Sequence, residues 1–185
     1  MTRAALVALA VLCPLLAGAV VVTAQSKIDL IQRDGVPRGS AVVIGQDELN
    51  AYIRDRVAGT FRQSIRGARI DLGAGRATGS AYIDFPKMGQ ATGRPLGWFL
   101  SWLLAGDRPV RVEARIRSGG GQAQVDLDRV EVSGVAIGGG ALDYLIRNFV
   151  MPRYPDATFG RPFALGHRVE RLEVRPGAVR VVIAR

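Results

Sequence analysis

The stretch "RPVRVEARIRSGGGQAQVDLDRVEV", residues 108–132, decides how the fold is read. Val110, Val112, Ala114 and Ile116 share one parity, while Arg111, Glu113, Arg115 and Arg117 share the other. That alternation is the pattern of a strand with one apolar and one wet face. A glycine run follows, and Ala123, Val125 and Leu127 resume the period of two. The apolar set then jumps to Val130 and Val132, one residue out of phase at Asp128-Arg129. Such a slip predicts a β-bulge and a bent strand, and bent strands belong to strongly curved sheets.

Working outward, two more hairpins flank this one. Upstream, "RGARIDL" and "RATGSAYIDF" enclose the turn Gly73-Ala74-Gly75, a hairpin signal. Ala77, Gly79, Ala81, Ile83 and Phe85 fall on one face of its second strand, which Pro86 is expected to end. Small residues there leave room for something bulky against the sheet. At the end of the chain, "HRVERLEVRPGAVRVVIAR" turns at Pro176-Gly177 and matches Leu172 and Val174 with Val179, Val181 and Ile183.

Two amphipathic helices are expected between these hairpins and ahead of them. In "VVIGQDELNAYIRDRVAGTF" a short extended piece precedes a helix with Asp47 as N-cap, running to about Ile65. Leu49, Tyr52, Ile53, Val57 and Phe61 recur at helical spacing in it. In the second helix, "ALDYLIRNFVM" after Gly138-Gly139-Gly140, the stripe is Leu142, Leu145, Ile146 and Phe149, with Pro152 as a stop. The fold class is therefore α+β: a strongly curved, mostly antiparallel sheet, one face charged and wet, the other packed by amphipathic helices.

Between the first two hairpins lies "RPLGWFLSWLL", residues 94–104. It is too short to cross a bilayer, which takes ~20 residues, and too apolar all round for an ordinary surface helix. A short buried helix is one reading. The other is a lipid-touching tip or lid, favoured because connections lie at edges and because Trp98 and Trp102 suit a membrane interface. Each such side chain contributes on the order of 1.5–3 kcal/mol when buried in lipid. Arg94, Arg108 and Arg111 are placed to hold an anionic headgroup.

The N-terminus reads as an export signal. Arg3 is followed by an apolar run from Ala4 to Val22 and the small-residue site Val22-Thr23-Ala24. The run exceeds the usual ~7–15 residues of a signal core, so residues 1–24 form either a cleaved signal peptide or a membrane anchor. Residues 25–185 then form one exported domain, periplasmic or tethered. The one cysteine, Cys13, falls in the apolar run, so the exported part has no disulfide. The formal net charge is +9, and only Lys27 and Lys87 are lysines. Outside the cytoplasm such charge meets phospholipid headgroups and other envelope polyanions rather than nucleic acid; the arginine excess equally fits the codon bias of a GC-rich genome.

Chemistry-bearing constellations are sparse. His167 is the sole histidine, and no serine or carboxylate is marked as its partner. Asp126, Asp128 and Glu131 lie on the polar side of an alternating strand without the glycine-turned loop that calcium sites use. "GAGRATG" joins strand to strand, which the dinucleotide fingerprint does not. No catalytic residue, metal or cofactor is expected.

Three passages carry a resemblance: "VVIGQDELNAYI" (42–53), "VEVSGVAIGGGALDYLIRNFV" (130–150) and "HRVERLEVRPGAVRVVI" (167–183). In them the chain resembles small bacterial secreted or anchored lipid-binding proteins of the TULIP (tubular lipid-binding, BPI-like) superfamily, with its LmeA-like and YpmS-like groups. The resemblance implies a curved antiparallel sheet wrapped around a long helix, with phospholipid acyl chains in an apolar channel and no reacting residue. The tryptophan-bearing segment and the short second helix depart from that pattern.

The expected function is extracytoplasmic, non-enzymatic binding, with possible transport, of phospholipid or another acyl-chain lipid at a membrane surface. Leu49, Ile53, Val57, Leu145, Ile146 and Phe149 would line the channel. Trp98, Phe99, Leu100, Trp102, Leu103 and Leu104 would form its entrance. The alternative is a cell-envelope scaffold that docks a protein partner through the apolar segment.

Overall fold

A computed structural model describes residues 23–60, 62–91, 104–150 and 159–185. Helix α1 (Ala24–Gln32) opens the described chain; the hydroxyl of Thr23 accepts from the Ser26 N–H as its cap. Ala24 and Ile31 are buried against the last hairpin, so Thr23 and Ala24 belong to the folded body. Strand β1 (Ala41–Gly45) runs straight into α2 (Gln46–Thr60). The helix starts two residues earlier than it would with Asp47 as its cap. Glu48 closes its first turn instead, by accepting from the Gly45 N–H at 2.8 Å, half of a capping box. The helix also ends before Ile65, which already begins a strand. The Lys27 side chain bonds Glu48 at 2.7 Å. Lys27, followed by the Gly45 N–H, holds the Glu48 carboxyl below its ordinary value of 4.5.

All three hairpins form where the alternation places them. Strands β2 (Ile65–Gly73) and β3 (Arg76–Ile83) pair through the glycine turn. Helix α3 (Phe85–Ala91) follows, then β4 (Arg108–Gly119) and β5 (Gln122–Val132). The bulge is where the phase slip puts it: Glu113 faces Arg129 and Ala114 faces Leu127, which leaves Asp128 over. Short β6 (Val135–Ala136) leads to α4 (Gly139–Leu145), which continues as one π-helical turn, Ile146–Val150. Short β7 (Phe163–Ala164) pairs with β5, and β8 (Val169–Arg175) with β9 (Ala178–Ile183) closes the chain.

Two expectations change. Pro86 does not simply end a strand: it sits in the first turn of α3, where proline is tolerated. Phe85 consequently leaves the sheet face and enters a core with Met88 and Val132. Asp84 starts that helix by accepting from the Lys87 N–H at 3.0 Å. The second change is that the sheet divides in two, one ordered β1-β9-β8 and the other β2-β3-β4-β5-β6, with β7 beside β5.

The small sheet caps the hairpin-turn end of the large one. The free edge of β8 takes bonds from the two turns: Gly75 N–H to the Val174 carbonyl at 2.9 Å and Gly121 N–H to Glu170 at 2.8 Å. Both glycines have φ between +60° and +80°, a region that side chains disfavour. Between them, Ser118 Oγ donates to the Leu172 carbonyl and accepts from its N–H. The other edge, β2, is covered by α2. Asn50 exchanges two bonds with the Ile70 backbone, at 2.9 and 2.7 Å, and Gln46 accepts from the Leu72 N–H at 2.7 Å. These amides, one helical turn apart, satisfy a strand edge that would otherwise invite pairing with another chain. Replacing Asn50 by alanine leaves both Ile70 groups unpaired and is expected to cost about 2 kcal/mol. Thermal denaturation should then fall by about 5 °C; an unchanged midpoint would show that the clamp contributes nothing.

Candidate functional site

The inner face of the large sheet is covered unevenly. At the turn end, Leu72, Ala77 and Val174 are buried, with Leu49, Ile70 and Ile116 against them. At the opposite end, Phe85, Met88 and Val132 are buried, with Leu104, Tyr144 and Leu145 packed on. Between them Val112, Ala114 and Leu127 are half-buried. A Cβ placed on Gly79, in the same region, would meet nothing within 4 Å. Among the described residues no large side chain is fully buried.

The Phe85 end holds an apolar cavity. It is built by the chain reversing over the end of β5. Ser133 and Gly134 both have positive φ, 53° and 78°, as the tightest hairpin turns require, and the Ser133 N–H bonds the Pro109 carbonyl at 2.8 Å. The Ile137 N–H then returns to the Val130 carbonyl, and Gly139, with φ 53°, starts α4. The space between α4 and the sheet end measures about 510 Å³ and is lined by Leu104, Arg108, Val132, Ser133, Val135, Ile137, Ala141, Tyr144 and Leu145. Among the described residues, polar side chains enter that lining only at Arg108, Ser133 and Tyr144. Arg108 shares the parity of Val110 and Val112, so its guanidinium stands on the apolar face, where its Nε is shut off from solvent. Val135, on the rim, is 62% exposed.

Of the residues singled out from the sequence, Leu104, Arg108 and Leu145 meet here. Leu49 does not: it packs into the two cores around β8, β9 and α1. Ile53 is half-buried on α2, apart from the cavity lining, and so is Ile146 at the start of the π-helical turn. Arg111 stands on the opposite face of the sheet from Arg108, in a separate polar groove, because adjacent parities of a strand point to opposite faces. It therefore shares no headgroup with Arg108 inside the cavity. Arg94, Trp98, Phe99, Leu100, Trp102 and Leu103 lie outside the described residues, as do the side chains of Val57 and Phe149.

Six lining residues were not singled out in advance. Val132 reads as a strand position, Val135 and Ile137 fall between the expected strand and helix, and Tyr144 lies off the expected helix stripe. The available signal was the glycine-flanked reversal "SGVAIGGG", residues 133–140, which turns those strand ends toward the helix.

The other chemical candidates are engaged elsewhere. Asp126 is bonded by Gln124 at 2.8 Å and Arg117 at 2.6 Å, and these bonds, Gln124 foremost, hold its carboxyl below the usual range. Asp128 pairs with Arg115 and Arg76, and Glu131 with Arg129. His167 is exposed on the turn before β8. Among the described residues, no cluster of three or more His, Cys, Asp or Glu could hold a metal ion, and no helix is long and apolar enough to cross a membrane. No protein-family model matches the chain, and no curated protein matches it either.

Proposed function

We propose that this protein is an extracytoplasmic, non-enzymatic lipid-binding domain that shelters an acyl chain in the cavity between α4 and the end of the large sheet. The observation that carries this reading is an almost wholly apolar space of about 510 Å³ with one guanidinium, Arg108, in its wall. That volume falls within the ~300–1,000 Å³ of ordinary small-molecule sites. Lining by Val132, Val135, Ile137, Ala141 and Leu145 suits a hydrocarbon, since each methylene removed from water contributes about 0.8 kcal/mol. Arg108 suits a carboxylate or phosphate at the head of that chain.

The finer reading is a TULIP-like half, a curved sheet over amphipathic helices. The Asp128 bulge and the open space over Gly79 support it. The domain works in the envelope, exported or held at the membrane by its N-terminal segment, as the apolar run from Ala4 to Val22 suggests. A membrane surface and an acyl-chain lipid are its partners.

The test compares a fluorescent fatty acid with the alcohol of equal chain length. Wild type should prefer the acid about tenfold, the value of one charge-assisted hydrogen bond. Arg108→Leu should erase the preference while keeping the alcohol's affinity. Equal binding of acid and alcohol by wild type would remove Arg108 from the site; binding of neither would remove the cavity from the function.

A further inference from the structure

On the outer face of the large sheet, side chains stand in rows across the strands. The pairing registers align Arg69 with Ser80, Ser80 with Arg111, and Arg111 with Glu131. The next row is Asp71, Thr78, Glu113 and Arg129. Within these two rows the ion pairs run along the strands, whereas nearer the turns they cross them, from Arg76 and Arg115 to Asp128 and from Arg117 to Asp126. Arg69 reaches Asp71 at 3.2 Å, Arg111 reaches Glu113 at 3.1 Å, and Arg129 reaches Glu131 at 2.6 Å. Like charges are left facing each other across β3: two guanidiniums about 10 Å apart at their backbones, with only Ser80 between. Both long side chains can lean over Ser80 and meet at one compact anion placed between them. These pairs leave several of the five N–H donors on each guanidinium for a further acceptor. Both side chains are more than half exposed, so their surface pairs yield at small cost.

The residues of the first row line one groove of about 400 Å³, in which Arg69, Ser80, Arg111 and Glu131 are joined by Tyr82, Gly67 and Gly134. Tyr82 presents its ring on this face, 53% exposed. It lies two residues from Ser80 on the same face, ~7 Å along the strand. Gly67 sits at the bulge of β2 with φ 61°, and a Cβ there would come within 3.6 Å of the ring.

We infer that this groove binds a phosphorylated sugar. The phosphate bridges Arg69 and Arg111 and accepts from the Ser80 hydroxyl; the ring lies on Tyr82, and a sugar hydroxyl donates to Glu131. A tetrahedral oxyanion reaches two flanking guanidiniums at once, and an aromatic face covers the apolar side of a ring. An extended polyanion does not fit, because Asp71, Glu113, Asp126, Asp128 and Glu131 share this face with the arginines. One compact phosphate between two arginines is what the charge pattern accepts. The site lies on the other side of the sheet from the apolar cavity and stands or falls separately.

The test titrates the full-length chain in detergent micelles with glucose 1-phosphate, inorganic phosphate and glucose, followed by ligand-observed NMR. A second arm uses vesicles displaying the same sugar phosphate on a lipid anchor, which distinguishes a soluble source from a membrane-borne one. In either arm wild type should bind the sugar phosphate about tenfold more tightly than phosphate or glucose. Arg69→Gln/Arg111→Gln should lose at least about tenfold. Tyr82→Ala should lower the sugar phosphate to the affinity of inorganic phosphate. These side chains are exposed, so circular dichroism should remain that of wild type. If the double variant binds like wild type in both arms, or if neither arm shows binding, the proposal is wrong.

Discussion

Ala141→Trp is expected to abolish fatty-acid binding while leaving the protein folded. Ala141 is exposed on α4 and lines the cavity, so a larger side chain there grows into the empty space rather than into packed atoms. An indole buries ~150–250 Å², enough to occupy the ground over which an acyl chain would lie. The helix itself loses only about 0.5 kcal/mol, the difference in propensity between the two residues. Titration with a fluorescent fatty acid should show affinity reduced by at least about tenfold, the equivalent of two or more methylenes denied their burial. Thermal stability should hold or rise, since filling a void restores contacts. Unchanged affinity would mean that the chain is bound somewhere else.

Phe85→Ala is expected to be the most destabilising of the single changes considered. Phe85 is 4% exposed and anchors the core of Met88 and Val132 at the cavity end of the sheet. Truncating a buried phenylalanine costs about 3–5 kcal/mol through lost transfer energy and an unfilled void. For a domain of this size that corresponds to a fall of about 10 °C in Tm. Differential scanning calorimetry checks it, with Tyr82→Ala as the control. Tyr82 is an exposed aromatic on the outer face and should shift the midpoint little. A fall of only a degree or two for Phe85→Ala would show that the core around α3 contributes little to stability.

The role of Phe85 illustrates where sequence reading stopped. Alternation alone puts Phe85 on a strand face, and Pro86 looks like the end of that strand. The competing signal was Asp84 ahead of Phe-Pro, a helix start in which an acid caps and proline occupies the first turn. The hairpins and the Asp128 bulge were legible because a period of two, and a break in that period, are local properties. The division into two sheets was not. It depends on the β8 edge meeting the turns at Gly75, Ser118 and Gly121, contacts between distant segments that leave no periodic trace. Gln46 and Asn50 were not singled out from the sequence, and they close the β2 edge.

The candidate site divides in the same way. Leu104 and Arg108 were singled out from the apolar run 94–104 and its cationic flank, and Leu145 from the stripe of the second helix; the three line one cavity. Leu49 packs into other cores than the cavity wall, because amphipathicity shows that a face is buried and not what covers it. Arg108 and Arg111 are close in sequence and on opposite faces of β4, a distinction that strand parity settles once the strand is known to begin at Arg108.

The most direct measurement is native mass spectrometry of the full-length protein, purified from membranes in gentle detergent without added lipid. The account predicts a population carrying one lipid-sized adduct, released as an acyl-chain lipid on denaturation and missing from Ala141→Trp prepared in parallel. A wild-type spectrum without such an adduct, and with a protein partner bound in stoichiometric amount instead, would contradict it and favour an envelope scaffold.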